Sequence, residues 1–268
     1  MENFIIKIGY PDKWKDYSGL QVDDSLSLYE NMANISEFFT KDAIARKVNK
    51  PVDKTEWGMT PQTINAYYNP TTNEICFPAA ILQPPFFDPT ADDAMNYGGI
   101  GGVIGHEMSH GFDDQGRQFD KTGNQHNWWT AADKKNFEAR TKILVDHFNK
   151  IELAGKKVNG QMTLGENIGD TGGLNIAFRA LQKVMKTEKL GVKDGFTPEQ
   201  RVFLAWARVW AGNARPAYLQ YLMTVDVHSP NEARVNGALP MVDSWSKAFD
   251  FQKGDKLFVP TNKRAHIW

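Results

Sequence analysis

An H-E-x-x-H sequence runs from His106 to His110 and places two histidines four residues apart. On an α-helix this spacing puts both imidazoles on one face, where they suit two corners of a zinc tetrahedron. Glu107 would point beside the metal and could take a proton from a water molecule held there. Such a short motif occurs by chance in on the order of one in a hundred chains of this size. A zinc site therefore needs a further ligand.

The segment Leu164–Asp170 offers that ligand, since it contains two acids four residues apart. Glu166 is the predicted third zinc ligand, and the predicted cofactor is one Zn²⁺ per chain. Asp170, one helical turn later, would accept the free N–H of a ligating histidine and fix its tautomer. The alternative is an acidic first turn that only favours the helix dipole. Together with the H-E-x-x-H pentad at residues 106–110, the acid pair is better interpreted as part of a metal shell.

Two further groups could act on a substrate. Asp226 and His228 lie two residues apart, so an extended segment would place them on the same side. His228 could then stabilise an oxyanion, with Asp226 keeping its imidazole oriented and protonated. Arg234 is a fixed cation that could pair with a substrate carbonyl or carboxylate. The alternatives are an ordinary surface hydrogen bond and an ordinary surface charge.

Helices must position most of these groups. The pentad falls in an apolar, glycine-rich segment, and so many glycines imply close packing or a close ligand. Thr197, Pro198 and Gln200 form a clear helix start, with a capping box and proline at the first position. Helical periodicity predicts helices over Asp24–Lys47, Ala94–Phe112, Thr130–Lys150, Leu164–Lys186, Thr197–Ala211 and Met241–Phe249.

A β-hairpin is predicted in the first third of the chain. Its strands are Thr63–Tyr68 and Glu74–Phe77, with turn residues at Asn69–Asn73. The prolines of Pro84–Pro89 then exclude regular structure. The predicted fold class is mainly α with a small mixed β-sheet (α+β), as a single domain over residues 1–268.

Composition excludes several function classes. The chain has 268 residues, with 31 Lys and Arg against 32 Asp and Glu, so no charge excess favours nucleic acid or an anionic membrane. No apolar run is long enough to span a bilayer, and the first residues do not form a secretory signal. One cysteine, Cys76, cannot form an internal disulfide. These features favour a bacterial, cytoplasmic setting over a secreted or cell-surface one.

The motifs, taken in order, resemble the neprilysin and endothelin-converting-enzyme family of zinc metalloendopeptidases, which includes bacterial oligopeptidase O. The resemblance covers essentially the whole chain. It is carried by Asn65–Tyr68, Phe77–Phe87, Asn96–Gly101, Val103–Asp114, Leu164–Asp170 and Asp226–Pro230. It implies a zincin with a thermolysin-like catalytic domain, and it assigns the same roles to the zinc ligands, Glu107, Asp170, Asp226 and His228.

Substrate-binding residues follow from the resemblance alone. It implies that Asn65 and the backbone of Ala66 bind the extended substrate strand and that Arg234 contacts it. It also implies an apolar S1′ pocket, lined by Ile81, Phe86, Val103, Val209 and Trp210. For these apolar residues, ordinary core packing is the alternative.

The chain departs from the family in three ways. The paired cysteines of vertebrate members are absent, and Gly169 replaces the alanine usual in the family's Glu-Asn-Ile-Ala-Asp motif. Family members are also about twice as long or more, with a helical lobe before the catalytic lobe. We therefore expect a fragment whose end at Trp268 is natural and whose start is not. Exposed apolar surface would then favour binding the missing lobe or self-association.

The sequence thus predicts an endopeptidase for oligopeptides that prefers bulky apolar residues at P1′. The alternative is a truncated lobe that binds zinc and peptides with little or no turnover. A purely structural zinc site is disfavoured, because only three protein ligands are evident and structural sites are closed by four.

Overall fold

A computed structural model describes residues 2–267, and the predicted natural end at Trp268 lies outside them. Helices dominate the described part, which confirms the predicted fold class. The α-helices are α1 Leu28–Lys47, α2 Asp93–Gly98, α3 Ile100–His110, α4 Ala131–Phe148, α5 Leu164–Val184, α6 Pro198–Val209, α7 Pro216–Val225, α8 Asn231–Asn236 and α9 Asp243–Ala248. The strands are β1 Ile5–Gly9, β2 Tyr67–Asn69, β3 Glu74–Pro78, β4 Glu152–Leu153 and β5 Lys156–Lys157.

A three-stranded mixed sheet lies in the N-terminal third, with strand order β1-β3-β2. Strands β2 and β3 pair in antiparallel fashion, as Tyr67 lies opposite Cys76, which confirms the predicted hairpin. Strand β1 was not predicted, and it pairs in parallel with β3. The buried ion pair between Lys7 and Glu74, 2.7 Å long, links these two strands. The sheet leaves β2 as a free edge.

Helix α5 lies between two clusters of buried apolar side chains. Leu174 and Leu181 belong to the cluster that contains Trp206, and Ile168 belongs to the cluster around α4 and the C-terminal residues. Helices α3 and α5 approach closely, because a Cβ atom at Gly105 would lie 2.7 Å from the Cα of Gly173. Of the two predicted reasons for the glycines, close packing or a close ligand, close packing applies at Gly105. This contact holds the two ligand-bearing helices together.

The single helix predicted over Ala94–Phe112 is wrong, since two helices meet at Gly99. The amide of Ile100 donates to the carbonyl of Phe86 at 2.7 Å, so the proline-containing loop interrupts the helical ladder. A Cβ atom at Gly99 would lie 2.3 Å from that carbonyl oxygen. Glycine is therefore required where the loop crosses the helix junction. Sequence periodicity continues across this break and cannot reveal it.

Other elements differ from prediction at their ends. Helix α1 begins at Leu28, behind a capping box of Ser27 and Glu30, and none of its residues is buried. The helix predicted over Met241–Phe249 is a 3-10 turn followed by α9. Helices α7 and α8 were not predicted. In residues 2–267, no helix is long and apolar enough to cross a membrane.

Candidate metal centre

Helix α3 and the first turn of α5 bring three predicted ligands together. The Nε2 atoms of His106 and His110 are 3.0 Å apart. Oxygens of Glu166 lie 3.1 Å from the Nε2 of His106 and 3.7 Å from that of His110. Tetrahedral zinc with bonds of about 2.1 Å places its ligand atoms about 3.4 Å apart. The three side chains therefore converge on one position of the size that zinc needs.

Asp170 sets the tautomer of His106. Its Oδ1 lies 2.9 Å from the Nδ1 of His106, and its other contacts are two hydrogen bonds from the guanidinium of Arg234. Burial opposes ionisation of Asp170, but Arg234 and His106 keep the pKa of its carboxyl below the ordinary value. Asp170 thus remains an anion that accepts the Nδ1 proton. The Nε2 of His106 is left with a free lone pair.

Asp113 does the same for His110 and was missed in the sequence analysis. Its Oδ2 lies 2.7 Å from the Nδ1 of His110. Its Oδ1 accepts the backbone amides of Gln115 and Gly116 at 2.8 and 2.7 Å. The acid follows His110 by three residues, one helical turn, and that spacing was the available signal. Both imidazoles thus turn their Nε2 lone pairs toward Glu166.

This donor set fits a cation. Two lone pairs and a carboxylate repel one another at these distances unless a positive charge lies between them. One oxygen of Glu166, Oε2, is also buried without a hydrogen-bond partner. Without metal a proton serves instead: burial opposes the charge, but Asp170 and Glu166 raise the pKa of His106 to about 10. Three protein ligands with a fourth side open are typical of catalytic zinc.

Glu107 lies beside the ligands and is buried, with 6% of its surface exposed. Burial raises the pKa of its carboxyl above the ordinary value, although His106 and His110 oppose that shift. A carboxylate with a raised pKa is a better proton acceptor at neutral pH. The side chain faces the same cleft as the metal ligands. Its placement suits a general base.

His228 reaches the centre from the segment after α7. Its Nε2 lies 3.3 Å from Oε2 of Glu166, and its Nδ1 lies 2.7 Å from Oδ1 of Asp226. The backbone at Asp226 is extended, as the two-residue spacing requires. His228 is half-exposed, so it faces the cleft rather than the core. Its position allows contact with a substrate atom above the metal.

The cleft is about 780 Å³ in volume. Asn65, exposed, and Ala66, buried, lie at its edge just before β2. The apolar part of the wall contains Ile81, Phe86, Val103, Trp206 and Trp210.

Of the predicted substrate contacts, Val209 lies outside the cleft lining, and Arg234 lines the cleft while it also has partners in the metal centre. Val209 does not line the cleft, and Trp206, one turn earlier on α6, lies there with its larger ring. Arg234 is 5% exposed, and its guanidinium lies 3.8 Å from the ring centre of Trp210 while it binds Asp170. Arg234 therefore supports the metal centre through Asp170 and also lines the cleft, so its contact with substrate stays a prediction.

Comparison with known proteins gives one family. The model of peptidase family M13 matches residues 65–265. A neutral endopeptidase of Lactobacillus helveticus is 40% identical over 98% of this chain and 39% of its own length. An endothelin-converting enzyme homolog of Locusta migratoria is 38% identical over 97% of this chain and 37% of its own length. The chain thus spans well under half the length of these relatives.

The fold matches a solved structure along the whole chain. That structure is the zinc metalloprotease Zmp1 of Mycobacterium tuberculosis in complex with an inhibitor. The TM-score is 0.96 at 48% identity, covering 100% of this chain and 41% of Zmp1. The resemblance inferred from the sequence motifs is confirmed by both comparisons.

Proposed function

We propose that this chain, which belongs to peptidase family M13, carries a zinc-dependent endopeptidase site for oligopeptides. The supporting observation is the convergence of His106, His110 and Glu166 on one position, with Glu107 beside them in an open cleft. One zinc ion per chain would fill that position. It would lower the pKa of a water molecule to about 7 and polarise the scissile carbonyl.

The chain's own residues would then move the protons. Glu107 would take a proton from the attacking water and later pass it to the leaving amine. His228, held by Asp226, would donate a hydrogen bond to the oxygen that becomes negative as the carbonyl is attacked. Asp170 would keep the Nδ1 proton on His106 throughout. The backbone at Asn65 and Ala66, just before β2, would hold the substrate backbone in an extended conformation.

The apolar wall of the cleft supports a preference for bulky apolar residues at P1′. Ile81, Phe86, Val103 and Trp210 all line the cleft and belong to one apolar cluster. A leucine or phenylalanine side chain placed there would leave water, which favours its binding by about 1.5–3 kcal/mol. We propose that this wall forms the S1′ pocket.

A second candidate is a site that binds zinc and peptides with little turnover. It is favoured by α1, a 20-residue helix in which no residue is buried, and by the chain's share of its relatives' length. An open cleft admits water, and water weakens the electrostatic stabilisation of the reacting oxygen. Both candidates share the metal centre and differ only in turnover.

A comparison of the parent chain with the variant Glu107→Gln distinguishes the peptidase site from the site that binds peptides with little turnover. We expect the parent chain to cleave a quenched-fluorescence peptide with Phe at P1′, and Glu107→Gln to retain zinc while kcat falls by about 10²–10⁴-fold. Equal cleavage by both chains would contradict the assignment of the base. Binding of the labelled peptide by the parent without cleavage would favour the second candidate.

A further inference from the structure

Asn167 and Ser229 belong to two of the sequence motifs, yet the proposed function assigns them no role. Asn167 follows the metal ligand Glu166, and Ser229 follows His228. The Oγ of Ser229 donates to Oδ1 of Asn167 at 2.7 Å across 62 residues of sequence. Both side chains are buried: 3% of Ser229 and 0% of Asn167 is exposed. A buried hydrogen bond therefore joins the residue after the metal ligand Glu166 to the residue after His228.

A chain of donors fixes the orientation of the Asn167 amide. Its Nδ2 donates to Oγ1 of Thr163 at 2.9 Å, and that hydroxyl donates to the carbonyl of Asn159 at 3.0 Å. The hydroxyl of Thr163 uses its proton on Asn159, so it must accept from Asn167. Oδ1 of Asn167 consequently faces Ser229 as an acceptor. A reversed amide would bring two acceptors together at Thr163 unless that hydroxyl gave up its bond to Asn159.

The segment that carries His228 has few other attachments. In the described chain, Ser229–Asn167 is the hydrogen bond that joins Val227–Ser229 to an element outside Asp226–Pro230. His228 itself is half-exposed and rests on Asp226, which belongs to the same segment. Its Nε2 nevertheless lies 3.3 Å from Oε2 of Glu166. The hydrogen bond from Ser229 to Asn167 on α5, the helix that carries Glu166, would maintain this distance between His228 and Glu166.

We propose that the Ser229–Asn167 hydrogen bond positions His228 over the metal centre, so that Ser229 and Asn167 are positioning residues of the active site. The inference rests on the proposed role of His228. The effect passes through the peptide unit between His228 and Ser229, because neither positioning side chain reaches the cleft. Small displacements of a catalytic group, about 1 Å, can cost up to about 100-fold in rate.

A double-mutant cycle in the 268-residue chain tests this. Ser229→Ala leaves the buried oxygen of Asn167 without its donor, and we expect kcat to fall about 10- to 100-fold. His228→Ala should lower kcat by about 10²–10³-fold. When His228 is already alanine, Ser229→Ala should change kcat less than about twofold, because the imidazole that the hydrogen bond positions is gone. Independent sites would instead show the same loss in both backgrounds. A loss that is equal in both backgrounds, or absent in both, would overturn the proposal.

Ser244→Ala is the matched control, because Oγ of Ser244 is buried and has no hydrogen-bond partner. It should leave kcat unchanged. A second readout does not depend on turnover: the chain has six histidines, so the imidazole ¹⁵N signals of the zinc-loaded protein can be assigned by substitution. Ser229→Ala should shift or broaden the His228 signals, and Ser244→Ala should not.

The kcat values and the ¹⁵N signals distinguish failure of the proposed function from failure of the positioning role. A parent chain that cleaves no peptide would contradict the proposed function, while the His228 signals would still decide whether Ser229 positions that ring. Unchanged His228 signals in Ser229→Ala would overturn the positioning role, whatever the parent's activity.

Discussion

Replacing Asp113 by asparagine would change one atom in the support of the second zinc ligand. The new side chain would keep its Oδ1 for the amides of Gln115 and Gly116, so the loop after α3 should stay in place. Its amide nitrogen would take the position of the present Oδ2, 2.7 Å from the Nδ1 of His110. Two N–H groups would then face each other. The imidazole can relieve this by moving its proton to Nε2, the atom that must bind zinc.

The cost follows from this tautomer change. Loss of the partner that orients a ligating histidine typically lowers metal affinity by about 10- to 100-fold. This corresponds to about 1.4–2.7 kcal/mol. The overall fold should change little, because Asp113→Asn preserves the shape of the side chain and its two bonds to the loop. We therefore expect weaker zinc binding in a chain with an unchanged far-UV spectrum.

Competition with a zinc chelator measures this affinity directly at about pH 7, where zinc sites bind tightly. Asp114→Asn is a matched control, since it removes the same charge from the next residue, whose carboxylate accepts from the side chain of Gln115. Asp114→Asn should bind zinc within about threefold of the parent, because the Asp114 carboxylate orients none of the three ligands. Equal affinities for the two variants would refute the tautomer argument.

Three further expectations follow from the structure. Phe86→Ala should lower kcat/KM about tenfold for peptides with Phe at P1′ and little for peptides with Ala there, because it removes part of the apolar wall. Equal losses for both peptides would contradict this. In the zinc-free chain, the pKa of His106 is raised to about 10, so the folded state binds a proton more tightly than the unfolded state. This stabilisation is complete below pH ~6.5 and decreases as the pH rises toward 10. The free energy of unfolding in urea should therefore fall over that pH window. A constant value would exclude a proton in the metal position. Tyr29 and Met32 are 83% and 54% exposed on α1, and such apolar surface favours self-association. The sedimentation coefficient should therefore rise with protein concentration, and less so for Tyr29→Glu. A strictly monomeric profile would argue against association through exposed apolar surface.

The sequence was sufficient where local spacing determines geometry. His106 and His110 share a helix, so their separation is fixed by the helical repeat, and Glu107 follows from the same repeat. Glu166 came from a second motif with an acid pair at helical spacing. The hairpin was also predictable, because turn residues stand between two short strands.

Other features depend on contacts between distant segments. The break at Gly99 arises because the loop carbonyl of Phe86 enters the helical ladder, and no periodicity records that. Arg234 was predicted to contact substrate, but its hydrogen bond to Asp170, 64 residues away in sequence, was not predicted because no local spacing records it. Trp206 reaches the cleft and Val209 does not, because α6 packs the Trp206 ring against α3: a Cβ atom at Gly102 would lie 2.9 Å from that ring. Strand β1 exists because it adds to β3, and five residues alone carry too weak a signal.

The proposed active site depends on one cation held by His106, His110 and Glu166. A crystal of the zinc-loaded chain measured at the zinc absorption edge would test this most directly. We predict one anomalous peak per chain, about 2.0–2.2 Å from the two Nε2 atoms and from a Glu166 oxygen, and no such peak in Glu166→Ala. A peak at another position, or a peak that survives in Glu166→Ala with unchanged height, would contradict the proposed centre.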